Sequence, residues 1–364
     1  MSNDAQPQIE AEANWLGRSF VNPAVDYLLI GGGLSLIVIP AIYFAIQQDS
    51  MFGIAALPWF ILALNSAHFA ASTVRLYTKP GAGEALPFVT LGLPLVMLFV
   101  LVIAMLRSES LGRCLQTIYL GWSPYHYAAQ AYGLSVMYCY RSGISLALRE
   151  KRLLWGVAML PFVDVALTTV SKHVVYWLLP ADQLWPVPQW LVLVRATSDV
   201  AGWLGLAMVP LAGFWLRYRC GQNIPLISLL VVGVNATWFT AYSLIDGFIW
   251  ATVFHGIQYL AIVAIFHVRD HCSADAPRKS RIATALRFYA MCVVLGYALF
   301  NCLPYGFKAI GFGAAESVLL VAATVNIHHF IVDGYIWKLR PRDANRRIVD
   351  APNCRGIERS ASLL

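Results

Sequence analysis

The chain has 364 residues, is 59% hydrophobic and only 12% charged, and carries a formal net charge of +7 with a mean hydropathy of +0.63. Soluble domains carry about twice that charged fraction, and a soluble core of this length cannot bury so much apolar surface, so lipid must cover part of it. The basic residues sit in short loops between apolar stretches, the pattern that orients membrane insertion, so the charge implies no nucleic-acid partner.

Residues 1–24 are polar and acidic, without the basic n-region and short apolar core of a cleavable signal peptide, and read as a cytoplasmic tail. Apolar spans follow near 25–47, 51–74, 86–106, 114–139, 153–179, 190–216, 225–245, 247–268, 286–305 and 312–337. Each is long enough to cross roughly 30 Å of hydrocarbon at about 1.5 Å per residue. The expected fold is therefore all-α: a polytopic bundle of about ten transmembrane helices over residues 25–339. Lys172, His173, Arg195 and Asp199 interrupt the fifth and sixth spans, and ADQLWPVPQW (181–190) between them reads as an interfacial turn.

One set of loops holds Arg75 and Lys79; Arg141, Arg149, Lys151 and Arg152; Arg217 and Arg219; and Arg269, Arg278, Lys279, Arg281 and Arg287. The alternate loops hold little beyond Arg107, Arg113 and Lys308. By the positive-inside rule both termini are cytoplasmic, which requires an even number of spans and suits a bacterial inner membrane. Residues 340–364 form a basic tail without apolar periodicity, expected to be a disordered cytoplasmic extension. The seven cysteines contain no C-x-x-C pair, which argues against a disulfide framework or a zinc-thiolate site.

Ionisable groups inside lipid-spanning helices are expensive and usually face the bundle interior. His68, His126, His255 and the adjacent pair His328 and His329 fall in the second, fourth, eighth and tenth spans. Counted from the nearest cytoplasmic basic residue, His68 lies about 10 Å deep, His329 about 13 Å, and His126 and His255 about 21 Å. With helix tilt all four depths can meet in one band, and imidazoles from separate helices are how bundles hold a metal or a haem. Gln130 lies four residues after His126, Gln258 three after His255 and Asp333 four after His329, so each shares a face with its histidine. These three are read as groups that orient ligands or bound water. Helical neighbours diverge by about 100°, so His328 and His329 cannot point the same way, and His329 is favoured because it faces with Asp333. His173, His267 and His271 are read instead as hydrogen-bonding or interfacial residues.

Gly31-Gly32-Gly33 follows no strand and reads as close helix packing rather than a nucleotide site. Asp164, Asp199, Asp246 and Glu316 could serve an ion pathway, with Asp164 the most interior. In ligand distribution alone, the chain resembles the histidine-rich integral-membrane non-haem iron oxidoreductases. His267-x-x-x-His271 and His328-His329 echo the boxes of fatty-acid desaturases, whose remaining boxes are missing. Single histidines on several helices are similar to the carotene-cleaving dioxygenases of the Brp/Blh type, without their local motifs, and the adjacent pair is similar to copper-binding helices of haem-copper oxidases. No continuous stretch is shared, so the likeness is one of analogy.

The expectation is a metal-dependent membrane oxidoreductase acting on a lipid or other apolar substrate. Its metal is non-haem iron or copper, held by His68, His126, His255 and His329 with His328 as a fifth candidate. Membrane lipids and an electron-donor protein are the expected partners. The alternatives are a proton-coupled transporter with a His/Asp relay and a haem-binding electron-transfer subunit.

Overall fold

The computed structural model of the chain describes residues 15–47, 59–171, 189–221, 224–241, 248–273, 275–337 and 344–350. His173, Asp246, the Trp- and Pro-rich stretch to residue 188 and most of both tails lie outside the described residues.

Every regular element among the described residues is helical. The principal helices are α1 (Gly33–Gln47), α2 (Ala67–Thr78), α3 (Leu93–Leu106), α4 (Arg113–Arg141) and α5 (Leu148–Ser171). They continue with α6 (Gln189–Cys220), α7 (Leu226–Phe239), α8 (Phe248–His271), α9 (Arg278–Tyr297), α10 (Ala314–Ile336) and the short α11 (Ala344–Asp350). Among the described residues five segments are long and apolar enough to cross a bilayer: Phe88–Leu106, Val200–Arg219, Trp250–His271, Arg278–Ala309 and Ala314–Ile336. Pro23–Ile30 and Gly33–Phe44, bent by 53°, make a sixth if counted as one span. The other expected spans are not recovered among the described residues: residues 51–58 and the stretch joining α5 to α6 lie outside them, α7 has 14 residues, and α4 carries Gln116, His126 and Gln130.

Burial separates centre from periphery. Only 17% of the Arg278–Ala309 window is buried, against 67% for Trp250–His271. Leu95, Phe99, Leu106 and Val294 point outward, as a lipid-facing surface requires. Helices α8 and α10 form the middle: α10 packs against α2, α3 and α4, and α8 against α2 and α9. The centre is therefore built from the helices that carry the four histidines.

The bend after Ile30 has a clear origin. Gly32 takes φ +75°, and a Cβ there would meet Val234 Cγ1 and Gln258 Nε2, both at 2.8 Å. Breaking the helix frees the Ile30 carbonyl, which accepts from Gln258 Nε2 at 3.0 Å. Just before the bend, buried Asp26 accepts from the backbone N–H groups of Phe20, Val21 and Asn22 and from the Tyr138 hydroxyl. The close-packing reading of the glycine run matches this geometry at Gly32.

Helix α9 packs on the start of α2 through Gly296, where a Cβ would lie 2.7 Å from both the carbonyl carbon and oxygen of Ser66. Backbone cannot yield as a side chain can. Gly296→Ala is expected to destabilise by about 1–3 kcal/mol. Gly306→Ala, with nothing near its Cβ, is expected to be neutral or slightly stabilising. Thermal unfolding of the two variants in detergent checks this; equal behaviour contradicts it.

Within the stretch expected to be a structureless tail, Ala344–Asp350 forms a helix docked under the bundle with Ile348 and Val349 buried. Its last carbonyls lack intrahelical partners and take arginines instead. Arg269 donates to Ile348 O at 2.7 Å and Arg141 to Val349 O at 2.9 Å. The same two arginines reach back to the N-terminal segment, at Phe20 O and Ser19 O.

Candidate metal centre

Four helices converge on one point. His68 is the second residue of α2 and follows a wider turn, Ile61–Ser66, of the kind often found at functional sites. His126 lies in the middle of α4, His255 in α8 and His329 in α10. Gly256 lets α8 approach α2: a Cβ there would lie 3.1 Å from Leu64 O and 3.5 Å from His68 Cβ. The absence of a side chain next to His255 thus brings its ring against His68.

The His68 ring centroid lies 4.6 Å from that of His329, 4.9 Å from His255 and 6.3 Å from His126. The His126 centroid is 4.9 Å from His329 and 5.3 Å from His255. All four side chains are buried. One ring nitrogen from each of His68, His126 and His329 lies within 4.8 Å of the other two. The four-histidine set read from the sequence is a spatial cluster.

The nitrogens are poorly satisfied for so buried a place. Neither ring nitrogen of His68 has a hydrogen-bond partner, and His255 Nε2 has none. Buried polar atoms without partners cost about 1–3 kcal/mol each, so three in one cluster ask for a ligand. His126 Nε2 and His329 Nε2 face one another at 3.2 Å. Asp333 Oδ2 lies 3.6 Å from His329 Nε2 and 3.9 Å from His126 Nε2. Atoms each about 2.1 Å from one ion are separated by at most about 4.2 Å, so these three spacings fit a shared cation without large movement.

The surroundings fix the orientations of the rings. Ser72 Oγ lies 2.9 Å from His329 Nδ1 and 3.5 Å from the Phe69 carbonyl. A Ser72 hydroxyl donating to Phe69 O accepts from Nδ1–H, which leaves the Nε2 lone pair of His329 facing the cluster. Tyr259 donates a short hydrogen bond to Asp333 Oδ1 and accepts from Trp337 Nε1 at 3.4 Å. Its ring packs 4.7 Å from His68 and 5.1 Å from His329. Removing that donor, by Tyr259→Phe, is expected to weaken metal binding about 10- to 100-fold with the histidines intact. Unchanged affinity in a chelator competition would contradict the role.

The remaining sequence candidates divide. His328 sits one residue from the cluster with Nε2 buried and unpartnered, and its ring makes no contact with the four rings that pack on one another. The amide nitrogen of Gln258 is committed to the Ile30 carbonyl. Gln130 lines a cavity, with both amide atoms buried and unpartnered. His271 bonds to His267 O and Thr78 O, and His267 lies on Phe288, the hydrogen-bonding arrangement expected of them. Tyr259 and Ser72 are not among the sequence candidates. Each lies four residues after His255 or His68, so the same spacing argument reaches them.

The cavity has a volume of about 320 Å³ and opens onto His126, Tyr259 and Asp333. Its other walls are mainly apolar, with Leu134, Met137, Phe330 and Trp337 prominent. An apolar pocket with a few convergent polar groups is the usual form of a small-molecule site. Comparison of the chain with protein-family models, with curated proteins and with solved structures finds no match.

Proposed function

We propose that this chain is a membrane-embedded, metal-dependent oxidoreductase acting on an apolar substrate. One observation carries the proposal: three buried histidines from separate helices offer ring nitrogens within 4.8 Å of one another, and one of them, His126, lines a mainly apolar cavity. His68, His126, His255 and His329 are the proposed imidazole ligands, and Asp333 Oδ2 supplies the negative charge. A mixed imidazole–carboxylate set favours non-haem iron over copper. When bound, such an ion would activate oxygen, while Tyr259 and Ser72 hold Asp333 and His329 in orientation.

The topology in this reading is ten spans with both termini cytoplasmic in a bacterial inner membrane. The basic loops listed above then face anionic lipid or an electron-donor protein, and the substrate enters from the bilayer. The test is oxygen uptake by iron-loaded protein supplied with a lipid extract and a one-electron reductant, with mass spectrometry of the extract. Oxygen-dependent conversion of a lipid component is expected. Metal-loaded protein that converts none of it, or proton-coupled flux in proteoliposomes, would overturn the enzyme reading in favour of transport; a Soret band would favour the haem subunit.

A further inference from the structure

Gln130 is a polar group that the metal centre does not use. It lies one turn beyond His126 on α4, about 6 Å further along the helix axis. Its Oε1 and Nε2 are both buried and both lack partners, although the side chain lines the cavity. Around it, α4 presents a stripe from Trp122 through Ala129 and Gly133 to Met137, about 22 Å of helix. Ala129 and Gly133, with Gly334 on the facing helix, leave a floor without side-chain bulk.

The chemistry of the lining narrows the occupant. No Lys or Arg is among the described lining residues, so a carboxylate or phosphate has no counter-charge there. The one acidic group, Asp333, is already engaged by Tyr259 and faces the histidines. Of the polar lining groups away from the histidines, Gln130 is the one with buried, unpartnered polar atoms, its acceptor oxygen and donor NH2 side by side, whereas Tyr125 is 39% exposed. A hydroxyl, which both donates and accepts, satisfies both atoms at once; a ketone or an ether satisfies only the donor.

We infer that the substrate is a neutral lipid alcohol, an elongated apolar molecule whose single hydroxyl is held by Gln130, one helix turn from the carbon presented to His126 and Asp333. This rests on the proposed reading of the same site and adds its substrate class and specificity-determining residue. A site built to hydrogen-bond a hydroxyl discriminates strongly against the analogue lacking it, because its own polar atoms then stay buried and unpaired.

Trp122 and Trp337 line the cavity and report occupancy through their fluorescence. The probes are 16-bromohexadecan-1-ol, 1-bromohexadecane and 16-bromohexadecanoic acid, whose bromine quenches tryptophan. They are titrated into the full chain in nanodiscs, corrected for partition and displaced with unbrominated alcohol. The alcohol is expected to bind about tenfold or more tightly than the alkane or the acid. In Gln130→Leu that advantage disappears while alkane binding remains, and Gln130→Asn recovers part of it. Equal binding of alcohol and alkane by the unmodified protein, or a preference that survives Gln130→Leu, would overturn the inference. Metal content of the same preparations separates the two failures: absence of metal counts against the centre, whereas the alcohol-to-alkane ratio alone decides the role of Gln130.

Discussion

Replacing His329 with alanine is expected to weaken transition-metal binding by more than about 100-fold, since even residues that only orient ligands contribute about 10- to 100-fold. The change removes a nitrogen 3.2 Å from His126 Nε2 and 3.6 Å from Asp333 Oδ2. His68→Ala is expected to act similarly, because both ring nitrogens of His68 are buried without protein partners. His328→Ala supplies the control. It removes an imidazole from the adjacent position, but its ring packs against none of the four clustered rings, unlike that of His255, so affinity should hold. Chelator competition on detergent-purified protein measures all three. A His329→Ala protein that binds as tightly as the unmodified chain would remove that residue from the site.

The second large effect concerns stability at the C-terminal ends of α2 and α8, which carry Arg75 and Asp270. Arg75 is buried, with its guanidinium between Phe266 at 5.0 Å and Trp337 at 4.6 Å. One nitrogen reaches Asn345 Oδ1 at 2.7 Å and Asp270 Oδ2 at 3.4 Å, while Nε and Nη1 have no partner. A buried ion pair adds little against an apolar replacement, but removing one partner leaves the other charge uncompensated. Asp270→Ala should therefore cost about 3–5 kcal/mol. Arg75→Met combined with Asp270→Leu should cost clearly less, since no charge is left stranded. Unfolding of both variants in detergent decides this, and a double variant less stable than Asp270→Ala would contradict it. Because Asn345 belongs to α11, Asp270→Ala is also expected to expose that helix to limited proteolysis.

The histidine cluster was legible because intramembrane histidine is rare and its depth along a helix can be counted from flanking basic residues. Asp333 was legible from its four-residue offset to His329. The same offset marks Tyr259 and Ser72, but tyrosine and serine are ordinary in membrane helices and carried no signal of their own. Other features are tertiary and could not be read. Gln258 is drawn to the Ile30 carbonyl only because the chain breaks at Gly32. Helix α11 has the sequence ANRRIVD, with little apolar content, and depends on arginines from three distant helices. The span count was the least legible part of the fold. Hydropathy marks apolar runs, whereas helix length is set by bends such as that at Gly31–Gly32 and by packing.

The proposed function requires the histidine cluster to hold a metal, which elemental analysis of the full chain measures. The protein should be purified without a polyhistidine tag, exposed in turn to Fe(II), Mn(II), Co(II), Cu(II) and Zn(II), and washed through a weak chelator. A metal site of this kind retains about one equivalent of a transition metal per chain, with no Soret band. Retention of none of the five ions would contradict it.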